Sequence, residues 1–215
     1  MSLVRVHNFS VSLDGFGTGE GQSLEAPFGH AGSRLMEWAF ETPTFRAMGL
    51  HGVTDGSFGV DEAFAGSWGT GIGAEIMGRN KFGPQRGPWT DEEWKGWWGD
   101  EPPFHTPVFV MTHHPRPSFS LSDTTFHFVD GDAATVLPLA LDAADGKDVR
   151  LGGGATTIRQ FLDADLVDTL HVAVAPVELG HGSRLWTSPD DLLDRYHRDV
   201  VPSPSGVVHH LYWRR

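Results

Sequence analysis

The sequence predicts an α/β domain whose central sheet is mostly parallel, with helices on both faces and an antiparallel C-terminal edge. Three observations carry this. Short apolar, β-branched runs alternate with segments of helical period, the pattern of a parallel sheet joined by right-handed crossovers. Glycines follow directly on several of the apolar runs. The last two such runs, Thr169 to Ala175 and Val207 to Trp213, have no clear helix between them, which suits an antiparallel edge or a hairpin.

Taken in order, Leu3 to Val11 is a strand closed by the turn signal Ser12-Leu13-Asp14-Gly15. Gly17 to Ser57 is rich in Gly, Pro and Ser and predicts loops over one end of the sheet, with a short helix at Ser33 to Phe40 and a further helical turn starting at Pro43-Thr44. Val60 to Trp68 sets Phe64 and Trp68 four apart, with acidic residues in the first turn, and predicts a helix. Ala74 to Met77 is a strand running into Gly78-Arg79-Asn80-Lys81-Phe82, and Trp89 to Trp98 predicts a brief surface helix. Strands follow at Pro107 to Thr112, Thr125 to Val129 and Asp148 to Leu151. Helices are predicted at Asp132 to Ala144, stopped by Asp145-Gly146, and at Ala155 to Leu162.

With 215 residues, one domain that buries most of its apolar surface is expected over the whole chain. A formal net charge of -12 without a polybasic tract argues against nucleic-acid or anionic-lipid partners. It also means that an anionic ligand needs a local cluster of donors overriding the global field. The absence of Cys excludes disulfides, thiolate zinc sites and cysteine nucleophiles, and fits a reducing cytoplasm. No run approaches the roughly 20 apolar residues of a membrane span, and the N-terminus has no long apolar signal region, so a soluble cytoplasmic protein is the expectation.

The strongest chemical signal is Val149-Arg150-Leu151-Gly152-Gly153-Gly154-Ala155-Thr156-Thr157-Ile158, a strand ending in three glycines that opens a helix. Glycines let backbone N–H groups approach a pyrophosphate closely, and the helix N-terminus adds a favourable partial charge, to which Thr156 and Thr157 contribute hydroxyls. The same residues also suit a plain tight turn. A second anion site is suggested at Gly78-Arg79-Asn80-Lys81, where a planar fork and a point charge suit a monoester phosphate, unless both cations are merely solvated. Thr112-His113-His114 supplies donors at a third strand end.

Ser12-Leu13-Asp14-Gly15, Ile76-Met77-Gly78-Arg79-Asn80-Lys81-Phe82, Val110-Met111-Thr112-His113, Gly152-Gly153-Gly154 and Val172 through Gly182 occur in that order. Together they resemble the dihydrofolate reductase superfamily, in the branch similar to the reductase domain of the bifunctional riboflavin-biosynthesis deaminase-reductase. The resemblance spans nearly the whole chain and implies a dihydrofolate-reductase-like three-layer fold, NADPH as cofactor, a small heterocyclic substrate and a homodimer. It implies further that Arg79 meets the adenosine 2′-phosphate, that Thr112 and His113 lie close by, and that Gly152 to Gly154 with Ala155 lie under the pyrophosphate. Ser12, Asp14, Gly15 and Phe16 would belong to a loop covering the nicotinamide. A catalytic acid would fall at Glu62, with Asp61 as its alternative, although both also suit a helix N-terminus. The resemblance has two departures. Gly17 to Ser57 is longer than the family's covering loop and lacks its Pro-Trp pair, and Lys81 replaces a hydroxyl residue.

Other signals exclude rival classes. Gly69-Thr70-Gly71-Ile72-Gly73 precedes a strand instead of following one, so it is not a Rossmann fingerprint. Without Cys or a His-Glu-x-x-His pair, the 12 His predict no metal site, and no Gly-x-Ser-x-Gly supports a serine hydrolase. Two functions remain: an NADPH-dependent reductase, or a non-catalytic nucleotide- or flavin-binding protein that keeps the fold.

Overall fold

The computed structural model describes residues 2–49 and 59–215. Eleven strands, β1 (Val4–Val11), β2 (Phe16–Thr18), β3 (Ile72–Gly78), β4 (Pro107–Met111), β5 (Phe119–Leu121), β6 (Thr124–Val129), β7 (Asp148–Gly153), β8 (Thr169–Val174), β9 (Ser183–Arg184), β10 (Tyr196–Pro202) and β11 (Val208–Arg214), form two sheets among the described residues. Nine of them make the central sheet in the order β10-β11-β8-β1-β7-β3-β4-β6-β5, and β2 pairs with β9. The six inner strands from β8 to β6 run parallel, while β5 at one edge and the β10–β11 hairpin at the other are antiparallel. This is the sheet the sequence predicts. Strands β2, β5, β9 and β10 are additional to the predicted ones.

The helices are α1 (Glu37–Phe40), α2 (Pro43–Ala47), α3 (Val60–Ala65), α4 (Arg79–Phe82), α5 (Ala133–Ala143) and α6 (Ala155–Asp163). Alternation along the strands sorts the sheet into two unlike faces. Val4 and Val6, Ala74 and Ile76, Phe109 and Met111, Val149 and Leu151, and Val172 and Val174 point to one side and form a core with α5 and α6. α5 starts where Asp132 accepts a hydrogen bond from the Thr135 N–H at 2.9 Å, and α6 turns Ile158, Phe161 and Leu162 inward. On the opposite side Ala173 and Ala175 pack beneath α1, α2 and α3 through Leu35, Trp38, Phe45 and Ala65. Met77, Val108 and Val110 pack under an aromatic cluster containing Phe82, Phe104, Phe126 and Phe128.

Two expectations need correction. The predicted Ser33–Phe40 helix is helical only from Glu37, and Trp89 to Trp98 is a chain of turns, not a helix. The physical reason is tertiary. Trp89, Trp94 and Trp98 are anchored separately on the Phe82–Phe128 cluster, and Gly96 and Gly99 adopt positive φ of 98° and 67°, which breaks any helical run. The part of the predicted loop region from Leu50 to Ser57 lies outside the described residues, as does the lead-in to α3. No described helix is long and apolar enough to cross a membrane.

Candidate functional site

The carboxyl ends of β1, β3, β4 and β7 open into a cavity of about 1030 Å³, roofed in part by the segment Gly17 to Met48. This is where an open parallel sheet offers its ligands a crevice. β7 delivers Gly152 to the wall, and Gly154, which caps α6, is followed on the same wall by Ala155, Thr156 and Thr157. The first turn of α6 has no side-chain cap, so its leading N–H groups face the cavity end of the helix unclaimed by any capping side chain. Glycine is required here for space. A Cβ on Gly152 would overlap the Glu75 carboxylate and the Lys81 ammonium, and one on Gly78 would overlap the Thr157 hydroxyl, whereas Gly154 faces open space.

From the end of β3, Gly78, Arg79, Asn80 and Lys81 also reach the cavity. Arg79 stacks on Trp89 with its guanidinium carbon 3.7 Å from the ring centroid and donates one N–H to the Gly87 carbonyl. Its Nε and Nη2 are buried without a hydrogen-bond partner among the described residues. Burial and the neighbouring Arg86 both disfavour its charge, so an anion is what this guanidinium lacks. Thr112 and His113 complete the strand-end set. The Thr112 hydroxyl accepts from the His114 N–H at 3.1 Å, and the exposed His113 pairs with Asp130 at 3.0 Å.

The cavity floor is the polar strip of the sheet. Glu75, in the middle of β3 and 1% exposed, is held by Arg150 of β7 through one oxygen and by Lys81 through the other at 3.0 Å. Arg150 lies under Trp68, 3.9 Å from its ring centroid, and donates to the Trp68 carbonyl at 3.1 Å. Two cations share one carboxylate, leaving a net positive wall in a chain of opposite overall charge. Burial pulls the Lys81 pKa down, against the opposing pull of Glu75. Beside this triad His7 and Asn8 line the cavity from β1. The register of β1 against β8 slips between Val6 and Phe9, and this bulge, with Asn8 at φ 56°, turns two consecutive side chains to the polar face. Burial, Arg5 and Arg150 push the His7 pKa down to about 4, which keeps the ring neutral.

The structure therefore brings together on one cavity Gly78, Arg79, Asn80, Lys81, Thr112, His113, Gly152, Gly154, Ala155, Thr156 and Thr157; Gly153, with φ 110°, packs against the Phe9 ring just beneath. It does not bring the expected acids there. Glu62 accepts from the Thr44 hydroxyl at 2.7 Å and the Thr44 N–H at 3.2 Å, tying α3 to the first turn of α2. Asp61 is buried against His209 at 2.8 Å, behind the cavity wall. The residues expected to cover the nicotinamide are also elsewhere. Asp14 accepts from the Ser12 hydroxyl and from the N–H groups of Leu179 and Gly180, Gly15 is wedged against Trp186, and Phe16 packs in the α1–α3 core. The turn after β1 is consumed in clamping the Leu179–Gly180 loop, and Gly17 to Gln22 form the wall instead. Glu75, Arg150, His7 and Asn8 escaped the sequence reading. The visible signal for the first two was a lone charge inside each of two apolar strands.

The fold and cavity define an α/β domain with a ligand-sized cavity at the carboxyl ends of its parallel strands. The model of the RibD C-terminal domain matches residues 6–195, and the chain belongs to that family. A putative riboflavin biosynthesis protein from Shewanella sp. PV-4 is similar in structure, with 20% identity and a TM-score of 0.56, over 100% of this chain and 98% of that one. A pyrimidine reductase-like protein from Corynebacterium diphtheriae shares 15% identity with a TM-score of 0.50, over 100% and 92% of the two chains. No curated protein matches the chain in sequence. Membership of that family supports a reductase of the riboflavin-biosynthesis type.

Proposed function

We propose that this chain is an NADPH-dependent reductase that transfers a hydride to a small heterocycle: a pteridine, a dihydrofolate-like compound or a ribosylaminopyrimidine. The observation that carries this is the pair of anion-seeking features on one cavity, the uncapped α6 N-terminus behind Gly154 and the partnerless donors of Arg79. They fit a dinucleotide, whose diphosphate would lie on the amides of residues 154–157 and whose adenosine phosphate would take the Arg79 fork. NADPH, when bound, supplies the hydride. The protein's part is to bind, orient and exclude water. Phe104, Trp97, Trp98, Met36 and Phe40 give the cavity its apolar walls, and Lys81 and Arg150 provide the positive floor. A homodimer remains part of the proposal, checked by sedimentation.

A second reading, a nucleotide- or flavin-binding protein without turnover, is favoured by one observation: neither Glu62 nor Asp61 lines the cavity. Calorimetric titration with NADPH, followed by NADPH oxidation assays on a panel of pterins and pyrimidines, separates the two. Binding with turnover supports the reductase, and binding without turnover on any of them supports the binder. No NADPH binding at all rejects the proposal.

A further inference from the structure

His7 on β1 and Lys81 on α4 line the cavity from either side of β7. The two nitrogens of His7 have unlike surroundings. Nε2 lies 3.0 Å from the Ser67 hydroxyl and 3.3 Å from the Phe64 carbonyl. The carbonyl can only accept, and the Ser67 hydroxyl donates its own hydrogen to that same carbonyl at 3.0 Å. A hydrogen on Nε2 serves both oxygens, whereas a bare Nε2 would set its lone pair against the carbonyl. Nε2 therefore carries the hydrogen, and Nδ1 of this neutral ring is an acceptor. Among the described residues Nδ1 has no hydrogen-bond partner, and it is not sealed off from the cavity that the ring lines.

Lys81 supplies the complementary group. One ammonium hydrogen goes to Glu75 at 3.0 Å, and the other two have no partner among the described residues. A Cβ on Gly152 would overlap the Lys81 ammonium, so the ammonium rests over β7 in the space that the glycine leaves. β1 is the neighbouring strand. It is paired with β7 through Val6 and Leu151, and the next residues along are His7 and Gly152. Donor and acceptor thus belong to adjacent strands, whose spacing in a sheet is about 4.8 Å. Trp68, Trp98 and Phe104 give the cavity aromatic surface close by. The Phe104 ring centroid lies 5.8 Å from Lys81 Nζ, 4.6 Å from the Trp98 ring and 6.2 Å from the Trp68 ring.

We propose that His7 and Lys81 are specificity residues that read the polar edge of the bound heterocycle, His7 Nδ1 accepting from a ring N–H and the Lys81 ammonium donating to the carbonyl beside it. The ring selected is a cyclic amide. An N-alkylated ring has no hydrogen to give His7 and leaves the Nδ1 lone pair unpaired inside the cavity, a desolvation cost that favours the ring bearing N–H. This inference rests on the reading of the cavity as a heterocycle site and names the edge that the site recognises.

Lumazine carries N–H groups beside its carbonyls, and 1,3-dimethyllumazine keeps the carbonyls without those hydrogens. In calorimetric titrations of the unliganded wild type, lumazine should bind at least about tenfold more tightly than the dimethyl compound. His7→Gln keeps an amide at the place of Nε2 and offers nothing at the place of Nδ1, so lumazine alone should weaken, by about tenfold. His7→Asn sets an oxygen at the place of Nδ1 and should restore the preference. Lys81→Met should weaken both compounds alike, by about tenfold. Equal affinities in the wild type, binding of neither compound, or a ratio that closes in His7→Gln because the dimethyl compound tightens would overturn the role of His7. Unchanged binding of both compounds in Lys81→Met would overturn that of Lys81. Nitrogen-15 spectra of the unliganded protein at pH 7, with the His7 signals assigned through His7→Gln, should show its hydrogen on Nε2, and a hydrogen on Nδ1 instead removes the acceptor and the proposal with it. Failure of NADPH binding rejects the proposed function, while the lumazine comparison, made without cofactor, still decides the pair.

Discussion

Glu75→Gln tests the buried triad under the cavity. Glu75 is 1% exposed and Arg150 4%, and the carboxylate is the one anion that meets both Arg150 and Lys81 among the described residues. The amide keeps the shape but replaces one acceptor oxygen by a donor facing a cation, which leaves Arg150 charged and uncompensated in the interior. Breaking a buried pair in this way costs about 3–5 kcal/mol, a large share of the ~5–15 kcal/mol that holds a domain folded. For a chain of this size each kcal/mol lowers Tm by roughly 2–4 °C, so a fall of about 6–20 °C is expected. Urea denaturation of the unliganded protein, followed by tryptophan fluorescence, measures the loss. Removing both charges in Glu75→Gln/Arg150→Met should cost less than Glu75→Gln alone, because the stranded cation is gone. A loss below about 1 kcal/mol for the single variant, or a double variant that is simply additive, would refute the triad as a desolvated unit.

Arg79→Ala should weaken NADPH by about 1.5–3 kcal/mol, roughly 10- to 150-fold, while leaving NADH nearly unchanged; equal losses by calorimetry would contradict the assignment to the adenosine phosphate. Glu62→Gln should leave kcat for any accepted heterocycle within about twofold, since its carboxylate serves Thr44 and not the cavity; a hundredfold loss would return it to the catalytic machinery. Stability should also depend on pH through His7 and His210, both depressed to about 4, His7 by burial with Arg5 and Arg150, His210 by burial with Arg198. Because the unfolded chain binds these protons near the ordinary value of 6.5 and the folded one does not, their contribution is complete above that pH and is lost as the pH falls towards 4. The loss is at most about 3 kcal/mol for each. Denaturation midpoints that stay flat between pH 7 and 4 in the wild type but not in His7→Gln would contradict this.

The central sheet was legible in the sequence because its strands are apolar runs and its ligand-facing ends are marked by glycine. Gly78 and Gly152 to Gly154 could be found because they follow directly on apolar runs, although the space that Gly78 and Gly152 leave is claimed by Thr157, Glu75 and Lys81 from distant parts of the chain. The Trp89–Trp98 segment was misread for the opposite reason: its tryptophans answer to Phe82, Phe126 and Phe128, which no local period reveals. The strands β5, β9 and β10 are short or polar and give little periodic signal. The family resemblance selected the helix that carries Asp61 and Glu62, but a position along the chain does not say which way an acid turns. The contacts that decide it, from Asp61 to His209 and from Asn8 to His171, join residues 148 and 163 positions apart.

The most direct test of the account is a crystal structure with NADPH soaked in. The diphosphate should lie against the N–H groups of residues 154–157, with the adenosine phosphate in the fork of Arg79. A dinucleotide held anywhere else, or turned so that its phosphates miss the first turn of α6, would contradict it.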